Sequence, residues 1–263
     1  MKDQHTVVVE QIQKLAAKLL ATHPVGHRLC LVGGFRYRLL SARCRTSIDI
    51  DYHWEGDLAR KQADIIELLR KKLLPEVKTR LGYDGSIQPA TGPETDSPIA
   101  RVIDMAFYRL PEGHRIEVPV EITRIQCSDS PIVRTVEGTV FLTASDADMI
   151  ESKVIALFNR TFLEERDIVD LFLYQDSFVE DSAQRLQAKL AKLGISSTAI
   201  ADRFTGLLLN RAVHIRALDE IIENQVEAAV VANLKASGGG GMVFDAVVAM
   251  LKDKLTIAGG SVS

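Results

Sequence analysis

The sequence predicts an α+β fold in two lobes: residues 1–144 form an α/β lobe with a small mixed sheet, and residues 145–263 form an all-helical lobe. Two observations predict it. Strand-like and helix-like runs alternate up to residue 142, whereas nearly every run from residue 145 onward has helical spacing. With 46% hydrophobic and 25% charged residues, the chain has the composition of a globular protein with a real core.

The first lobe begins with an amphipathic helix over residues 6–22, because Val8, Ile12, Leu15 and Leu19 recur at helical spacing. The order that follows is strand, helix, strand, helix, strand and hairpin. The predicted ranges are a strand at 29–32, a helix at 35–43, a strand carrying Asp49 and Asp51, a helix at 57–80, a strand at 82–88, a loop at 89–98, and a hairpin of 99–110 with 115–125.

The second lobe is predicted to be helical throughout. Ser145, with Asp146 as an equal contender, is the predicted N-cap of its first helix. Gly238–Gly241 is predicted to be a flexible joint before the last helix. The predicted helices are 145–160, 163–176, 178–193, 196–210, 211–235 and 242–254.

Two aspartates on one predicted strand mark the candidate site. Because side chains alternate along a strand, Asp49 and Asp51 share one side, and Ile48 and Ile50 point to the other, covered side. Two neighbouring carboxylates repel each other, and a bound divalent cation usually neutralises their charge. Magnesium prefers a couple of carboxylates together with substrate phosphates. The pattern therefore predicts a Mg²⁺ site.

A glycine pair lies just upstream, between the first strand and a short helix. Gly33 and Gly34 would let a phosphate come close to backbone N–H groups at the helix start. Together with the two aspartates, the pair predicts a site for a metal–nucleotide complex. Taken alone, D-x-D is more often a solvated strand edge and Gly-Gly is simply a turn; the favoured interpretation depends on their conjunction.

The wording GG…R-x-S-x-D-I-D resembles the AbiEii/AbiGii-type branch of the DNA polymerase β-like nucleotidyltransferases, toxins of abortive-infection and toxin–antitoxin systems. At motif level the resemblance covers roughly residues 33–173. The chain departs from the pattern at Gly34, where Ser is common, and at Phe35, where a small hydroxyl residue is common. The resemblance implies a polymerase β-like first lobe whose active site the helical lobe completes. It also implies Mg²⁺-dependent transfer of a nucleoside monophosphate from an NTP to an acceptor hydroxyl, with release of pyrophosphate.

Superfamily members usually add a third carboxylate from a neighbouring strand, which shares the catalytic metal. Glu121, Asp104 and Glu117 compete for this role. Glu121 is favoured, because VPVEITRI resembles the family's strand after the D-x-D unit. Asp104 is second.

The helical lobe opens with KVIALFNRTFLEERDIVDLFLY, which resembles the family's K-x(2)-A-L-x(2)-R…R-D-x-x-D-L segment. The resemblance implies catalytic or substrate-binding roles for Lys153 and Asp167. A lysine suits a triphosphate as a mobile point charge. The plain alternative is that Lys153–Asp167 and Arg166–Asp170 are structural salt bridges.

Arg45 and Ser47 directly precede the D-x-D motif, and we assign them, with Gly33, Gly34 and Lys153, to substrate binding. The Ser47 hydroxyl is expected on the same side as the two aspartates. Arg36, Arg38, Arg43 and Arg45 form a basic cluster that would hold triphosphate or RNA; the alternative is that these side chains are only solvated.

Charge and composition limit the partners. A net charge of −3 and a pI near 6.1 are not those of a general nucleic-acid binder, so any RNA contact needs a local basic patch. Three separated cysteines predict a reduced, cytoplasmic protein, and no run is long and apolar enough for a membrane span.

The leading hypothesis is a toxin nucleotidyltransferase whose acceptor, by family resemblance, is RNA, especially a tRNA 3′ end, and whose partner is a cognate antitoxin. One alternative is nucleotidyl transfer to a small molecule or a protein. Another is a non-catalytic nucleotide- or RNA-binding regulator, against which the D-x-D pair argues, since a binder does not need two repelling acids.

Overall fold

The computed structural model describes residues 4–41, 45–90, 100–109 and 113–255. Nearly all of the predicted loop at 89–98, part of the hairpin turn and the C-terminal tail lie outside these ranges, as does Arg43.

The described residues form two compact units. The strand-rich unit contains residues 4–41, 46–90, 100–109, 113–125 and 130–144. The helical unit contains residues 45, 126–129 and 145–255. Two short pieces from the first half of the chain therefore pack with the helices.

The strand-rich unit contains the predicted elements and one hairpin that was not predicted. Its elements are α1 Gln4–Thr22, β1 Cys30–Val32, α2 Gly33–Leu40, β2 Ile50–His53, α3 Leu58–Leu81, β3 Asp84–Pro89, β4 Ala100–Arg109, β5 His114–Glu117, β6 Val120–Thr123, β7 Ile132–Val136 and β8 Thr139–Thr143. The additional hairpin is β7–β8. Its two-residue turn has positive φ at both Glu137 (48°) and Gly138 (75°), as a type I′ turn requires. Glu-Gly is a weaker turn signal than Asn-Gly or Asp-Gly, which explains why sequence reasoning missed it.

The sheet is mixed, which confirms the predicted α+β class. Within the described ranges it has eight strands in the order β3-β4-β6-β2-β1-β8-β7, with β5 also on β4. The pairs β2–β6 and β1–β8 are parallel, and the other pairs are antiparallel. The central strands β1, β2 and β6 carry or flank the candidate site.

Pro119 divides the predicted strand 115–125 into β5 and β6 without changing its register on β4. Ala106 pairs with Glu117 on one side of the break and Ile103 with Val120 on the other, so no residue is inserted and there is no bulge. The Pro119 carbonyl accepts the N–H of Ile50, the first residue of β2. Proline is tolerated here because its missing N–H falls where the β2 ladder only begins.

One face of the sheet is buried against α1 and α3. Ile50 and Tyr52 of β2 and Val120 and Ile122 of β6 point into that core. Asp51 and Glu121, which alternate with them, lie on the opposite face and are only half-buried. The prediction that Ile48 is covered like Ile50 is wrong. Ile48 is 54% exposed, because β2 begins only at Ile50 and residue 48 lies in the preceding bend.

The helical unit contains α4 Asp146–Asn159, α5 Glu165–Leu173, α6 Ser182–Lys192, α7 Ser197–Leu209, α8 Arg211–Gln225, α9 Ala228–Ala236 and α10 Gly239–Leu255. Ser145 is the N-cap of α4, and its hydroxyl accepts the Asp148 N–H, as predicted. The predicted helix 211–235 is two helices, interrupted at Val226. The predicted flexible joint is also wrong: Gly239–Gly241 begin α10, and the Gly240 N–H donates to Asp219.

In the ranges the structure describes, no single helix has the length and apolar character needed to cross a membrane. The helices α9 and α10 pass that test only as a pair, which is bent by 83°.

Candidate active site

The carboxylates of the strand-rich unit lie on neighbouring strands. Asp51 of β2 pairs directly with Glu121 of β6 in the parallel ladder. Residues paired in this way present their side chains on the same face, about 4.8 Å apart at the backbone. Asp104 lies on β4, one strand further from β2, and Glu117 is exposed and bound to Arg115 at 2.8 Å. The register thus favours Glu121 as the third carboxylate, an assignment that stays a prediction.

The prediction that Asp49 lies on the same strand as Asp51 is wrong, because β2 begins only at Ile50 and Asp49 lies in the short segment before it. The Ser47 hydroxyl donates to Asp49 Oδ1 at 2.5 Å. Gln13 of α1 donates from Nε2 to the backbone carbonyls of Ser47 (2.9 Å) and Asp49 (3.2 Å). Ser47 therefore lies beside Asp49, as expected, but its hydroxyl is already directed at that carboxylate.

Gly33, the first residue of α2, lies against the second aspartate. Its φ is +72°, and a Cβ added there would lie 1.7 Å from Asp51 Oδ2. Only glycine fits both the left-handed backbone and the close approach of the carboxylate. Gly34 follows as a buried residue of the first turn. The glycine pair thus brings the backbone of the α2 N-terminus next to the Asp51 carboxylate.

We expect Gly33→Ala to remove activity and destabilise the strand-rich unit, because the methyl group would displace the Asp51 carboxylate. The matched control is Gly138→Ala, which has a similar φ of +75° but nothing within 4 Å of the added Cβ. The control should lose only the roughly 1–2 kcal/mol of the left-handed backbone. Urea unfolding and nucleotidyl-transfer rates compare the two; equal effects of the two substitutions would contradict a role for the Gly33–Asp51 contact.

The donor set fits magnesium in its chemistry. Asp49, Asp51 and Glu121 offer only oxygen ligands, which hard cations prefer. Among the described residues, no group of three or more His, Cys, Asp and Glu side chains is arranged to hold a metal ion. Mg²⁺ usually keeps several waters and is bound through one or two carboxylates plus substrate phosphates.

In the helical unit, Lys153, Arg45 and Arg160 converge on two aspartates of α5. Lys153 Nζ lies 2.7 Å from Asp167 Oδ1 and 2.9 Å from Asp170 Oδ2. Arg45 binds Asp170 with two bonds, Nε to Oδ1 and Nη2 to Oδ2, both 3.0 Å long. Arg160, which is half-exposed, donates to Asp167 Oδ2 at 2.6 Å. The other four side chains are buried.

Mutual attraction keeps this cluster charged. Burial alone would lower the pKa of Lys153, but Asp170 and Asp167 outweigh it and raise that pKa. Burial alone would raise the pKa of Asp170, but Lys153 and Arg45 outweigh it and lower that pKa. The ammonium and the carboxylate therefore persist as an ion pair away from water.

Of the two salt bridges named in the structural alternative, one is present. Lys153 pairs with Asp167, but Arg166 pairs with Glu164 at 3.1 Å and not with Asp170. The reason is that Asp170 points into the unit, where Arg45 and Lys153 take its oxygens. The functional roles of Lys153 and Asp167 stay predictions.

The predicted basic surface around Arg36–Arg45 is wrong for the arginines that the structure describes. Arg36 is 1% exposed and donates to the Ala144 carbonyl at 2.9 Å. Arg38 binds Glu10 at 2.8 Å. Arg45 is buried on Asp170, as described above. The three side chains stabilise the protein from within, so a role of Arg45 toward a nucleotide would act through Asp170.

A second ionic cluster in the helical unit was not predicted. Lys189 Nζ lies 2.5 Å from Asp148 Oδ1 and 2.6 Å from Glu151 Oε2. Arg185 contacts Glu151 (2.7 Å), Asp148 (3.0 Å) and Asp129 (2.8 Å). The signal was available in the sequence: acids three apart on α4 and bases four apart on α6 each share a helix face. Asp129 anchors the segment 126–129 to this cluster.

We expect the stabilising contribution of Asp129 to disappear in acid. Hydrogen bonds from Arg185 and Ser145 lower the pKa of Asp129 to about 2. A carboxyl whose pKa is lower in the folded state stabilises that state above its unfolded pKa, near 4, and loses the effect as pH falls toward 2. The stability difference between wild type and Asp129→Asn, measured by urea unfolding, should therefore shrink between pH 4 and pH 2. A difference that grows in this range would contradict the assignment; Asp202→Asn, exposed on α7, is the control.

Comparison with known proteins gives a consistent result. Residues 14–237 match the family model described as nucleotidyl transferase AbiEii toxin, type IV TA system. The fold is similar to JHP933 from Helicobacter pylori (16% identity, TM-score 0.53, covering 97% of this chain and 96% of that one). It is also similar to a second H. pylori protein, provisionally described as a nucleotidyltransferase (18% identity, TM-score 0.54, 95% and 98% covered). No curated protein matches the sequence.

Proposed function

Because the chain belongs to the AbiEii nucleotidyl transferase toxin family of type IV toxin–antitoxin systems, we propose that it transfers a nucleoside monophosphate from an NTP to an acceptor hydroxyl. The observation that carries this proposal is the pairing of Asp51 with Glu121, with Gly33 against the Asp51 carboxylate. A binding module has no need for two registered acids beside a glycine-lined helix start.

In the proposed reaction, the acceptor oxygen forms a bond to the α-phosphorus while the bridging bond to the β-phosphate oxygen breaks, and pyrophosphate leaves. Asp49 and Asp51 hold the cationic part of the substrate complex. Glu121, on the adjacent strand, accepts the proton of the acceptor hydroxyl. When bound, Mg²⁺ supplies charge neutralisation at the phosphates. Gly33 and Gly34 let the phosphates approach backbone N–H groups.

We propose a role for Lys153 in triphosphate binding because the family's K-x(2)-A-L segment implies it. In this structure its ammonium is buried and paired with Asp167 and Asp170, so the role needs the direct test given below. Asp167 and Asp170 balance the charge of this ammonium, and Arg45 holds Asp170 in place.

We expect Lys153→Met to weaken NTP binding more than NMP binding, because a cationic side chain attracts a triphosphate more strongly than a monophosphate. The substitution also leaves two buried acids short of a partner, so a loss of stability is expected as well. Lys189→Met is the matched control, since it removes another buried, doubly paired lysine of the same unit. Calorimetry with both ligands tests this; equal losses for NTP and NMP would place Lys153 outside triphosphate binding.

We propose RNA, in particular a tRNA 3′ end, as the acceptor, and transfer to a small molecule or a protein as the runner-up. If the acceptor is RNA, its affinity should fall with salt, with a slope of about −2 to −4 in log–log form for a few phosphate contacts. Acceptor affinity measured from low to moderate salt with saturating NTP tests this. A flat line would remove RNA and leave the runner-up.

The decisive experiment offers radiolabelled NTPs with Mg²⁺ to separated RNA, protein and small-molecule fractions. Incorporation of label into one fraction identifies the acceptor class. If Asp51→Asn no longer incorporates label, the transfer depends on this site. No transfer into any fraction, with NTP binding retained, would favour the non-catalytic nucleotide- or RNA-binding alternative.

Membership of the family implies a cognate antitoxin as partner. We propose the cytoplasm as compartment, in keeping with three cysteines that are widely spaced in the sequence.

A further inference from the structure

We propose that Gln13 is the positioning residue of the Asp49 carboxylate. Gln13 lies on α1, far from the D-x-D motif in sequence, and is only 1% exposed. Its side-chain Nε2 donates to the carbonyls of Ser47 and Asp49, on either side of Ile48. This proposal rests on the proposed function, because it concerns how one acid of that site is held.

The segment before β2 needs such a support. The antiparallel pairing of β1 with β2 ends where Val32 faces Asp51, since the chain turns into α2 at Gly33. On that side, within the described part of the chain, β1 has no residue left to pair with Asp49. Backbone carbonyls away from water require a partner, and the carboxamide of Gln13 supplies it. The Gln13 amide thus replaces the backbone hydrogen bond that a longer β1 would supply to this segment.

Gln13 positions the Asp49 carboxylate through Ser47. Gln13 fixes the Ser47 carbonyl, and the Ser47 hydroxyl donates to Asp49 Oδ1. Main chain and side chain of Asp49 are therefore both held, the first directly and the second through one residue. Partners of this kind, behind a metal-binding carboxylate, change metal affinity or activity by roughly 10- to 100-fold when they are removed.

Gln13→Met tests the proposal, because methionine keeps the length and loses the N–H donors. Gln11→Met is the control: it is the same residue type on the same helix, but exposed. We expect Gln13→Met to lower Mn²⁺ affinity without nucleotide, and to lower kcat, by roughly 10- to 100-fold each, with KM for NTP unchanged. Gln11→Met should match wild type. Ser47→Ala combined with Gln13→Met should lose less than the sum of the single losses, since both act on one carboxylate.

A folded Gln13→Met protein with the Mn²⁺ affinity and kcat of Gln11→Met would overturn the proposal. If Gln13→Met does not fold, Gln13→Glu decides, since it keeps shape and polarity while its carboxylate cannot donate. Wild-type Mn²⁺ affinity in folded Gln13→Glu, or unfolding of both variants, would overturn the positioning role. Failure of the proposed function has a different result: the wild-type protein would then transfer no label into any fraction, while the Mn²⁺ affinities of Gln13→Met and Gln11→Met would still differ.

Discussion

Asp51→Asn is expected to abolish nucleotidyl transfer while leaving the protein folded. The substitution keeps the size of the side chain and removes the charge that holds the cationic substrate complex. Losing such a ligand removes several kcal/mol of transition-state stabilisation, and about 4 kcal/mol corresponds to roughly a thousandfold in rate. Folding should be unchanged or improved, because the neighbouring Glu121 loses a repelling partner on its own face of the sheet.

Three further variants make this result interpretable. Asp84→Asn on β3, an exposed residue paired with Lys78, should retain transfer and is the inert control. Glu121→Gln and Asp104→Asn compare the two strand acids that compete as third carboxylate, and we expect the larger loss from Glu121. Single-turnover rates and far-UV circular dichroism are the measurements. Normal transfer by Asp51→Asn would contradict the proposed mechanism. An unfolded Asp51→Asn variant would mean that Asp51 is needed for folding.

The largest expected effect on stability comes from Lys189→Met. Its ammonium is buried between Asp148 and Glu151, neither of which is exposed to solvent. Among the described contacts, removing this cation leaves Arg185 as the positive charge shared by two buried acids. Breaking a buried ion pair in this way costs about 3–5 kcal/mol.

Lys192→Met is the matched control for this prediction. Lys192 lies on the same helix three residues further on and is exposed, so its substitution should change the free energy of unfolding by less than about 0.5 kcal/mol. The midpoints of urea unfolding compare the two variants. A Lys189→Met midpoint equal to that of Lys192→Met would mean that the ionic cluster does not stabilise the helical unit.

Local patterns in the sequence predicted much of the fold. Helical spacing in α1 and α3 and period-two alternation in β2 and β6 are set by neighbours in the chain, so they could be predicted without tertiary information. The alternation of buried and exposed residues even continued across Pro119, although the strand is divided there. The weak Glu-Gly turn of β7–β8 and the break at Val226 were missed for the same reason: their local signals are ambiguous.

For the candidate site, the sequence by itself determined the prediction of the chemistry, from two aspartates separated by one residue, a glycine pair before them, and a family pattern around both. Only the tertiary structure decided which groups meet. The pairing of Asp51 with Glu121 depends on the parallel register of β2 and β6, and the support of Asp49 by Gln13 depends on how α1 packs. The described arginines that the sequence predicted to form a basic surface instead bind carboxylates and a carbonyl that are far away in sequence. Such groups need partners when they are removed from water. These contacts could not be predicted from any local sequence pattern.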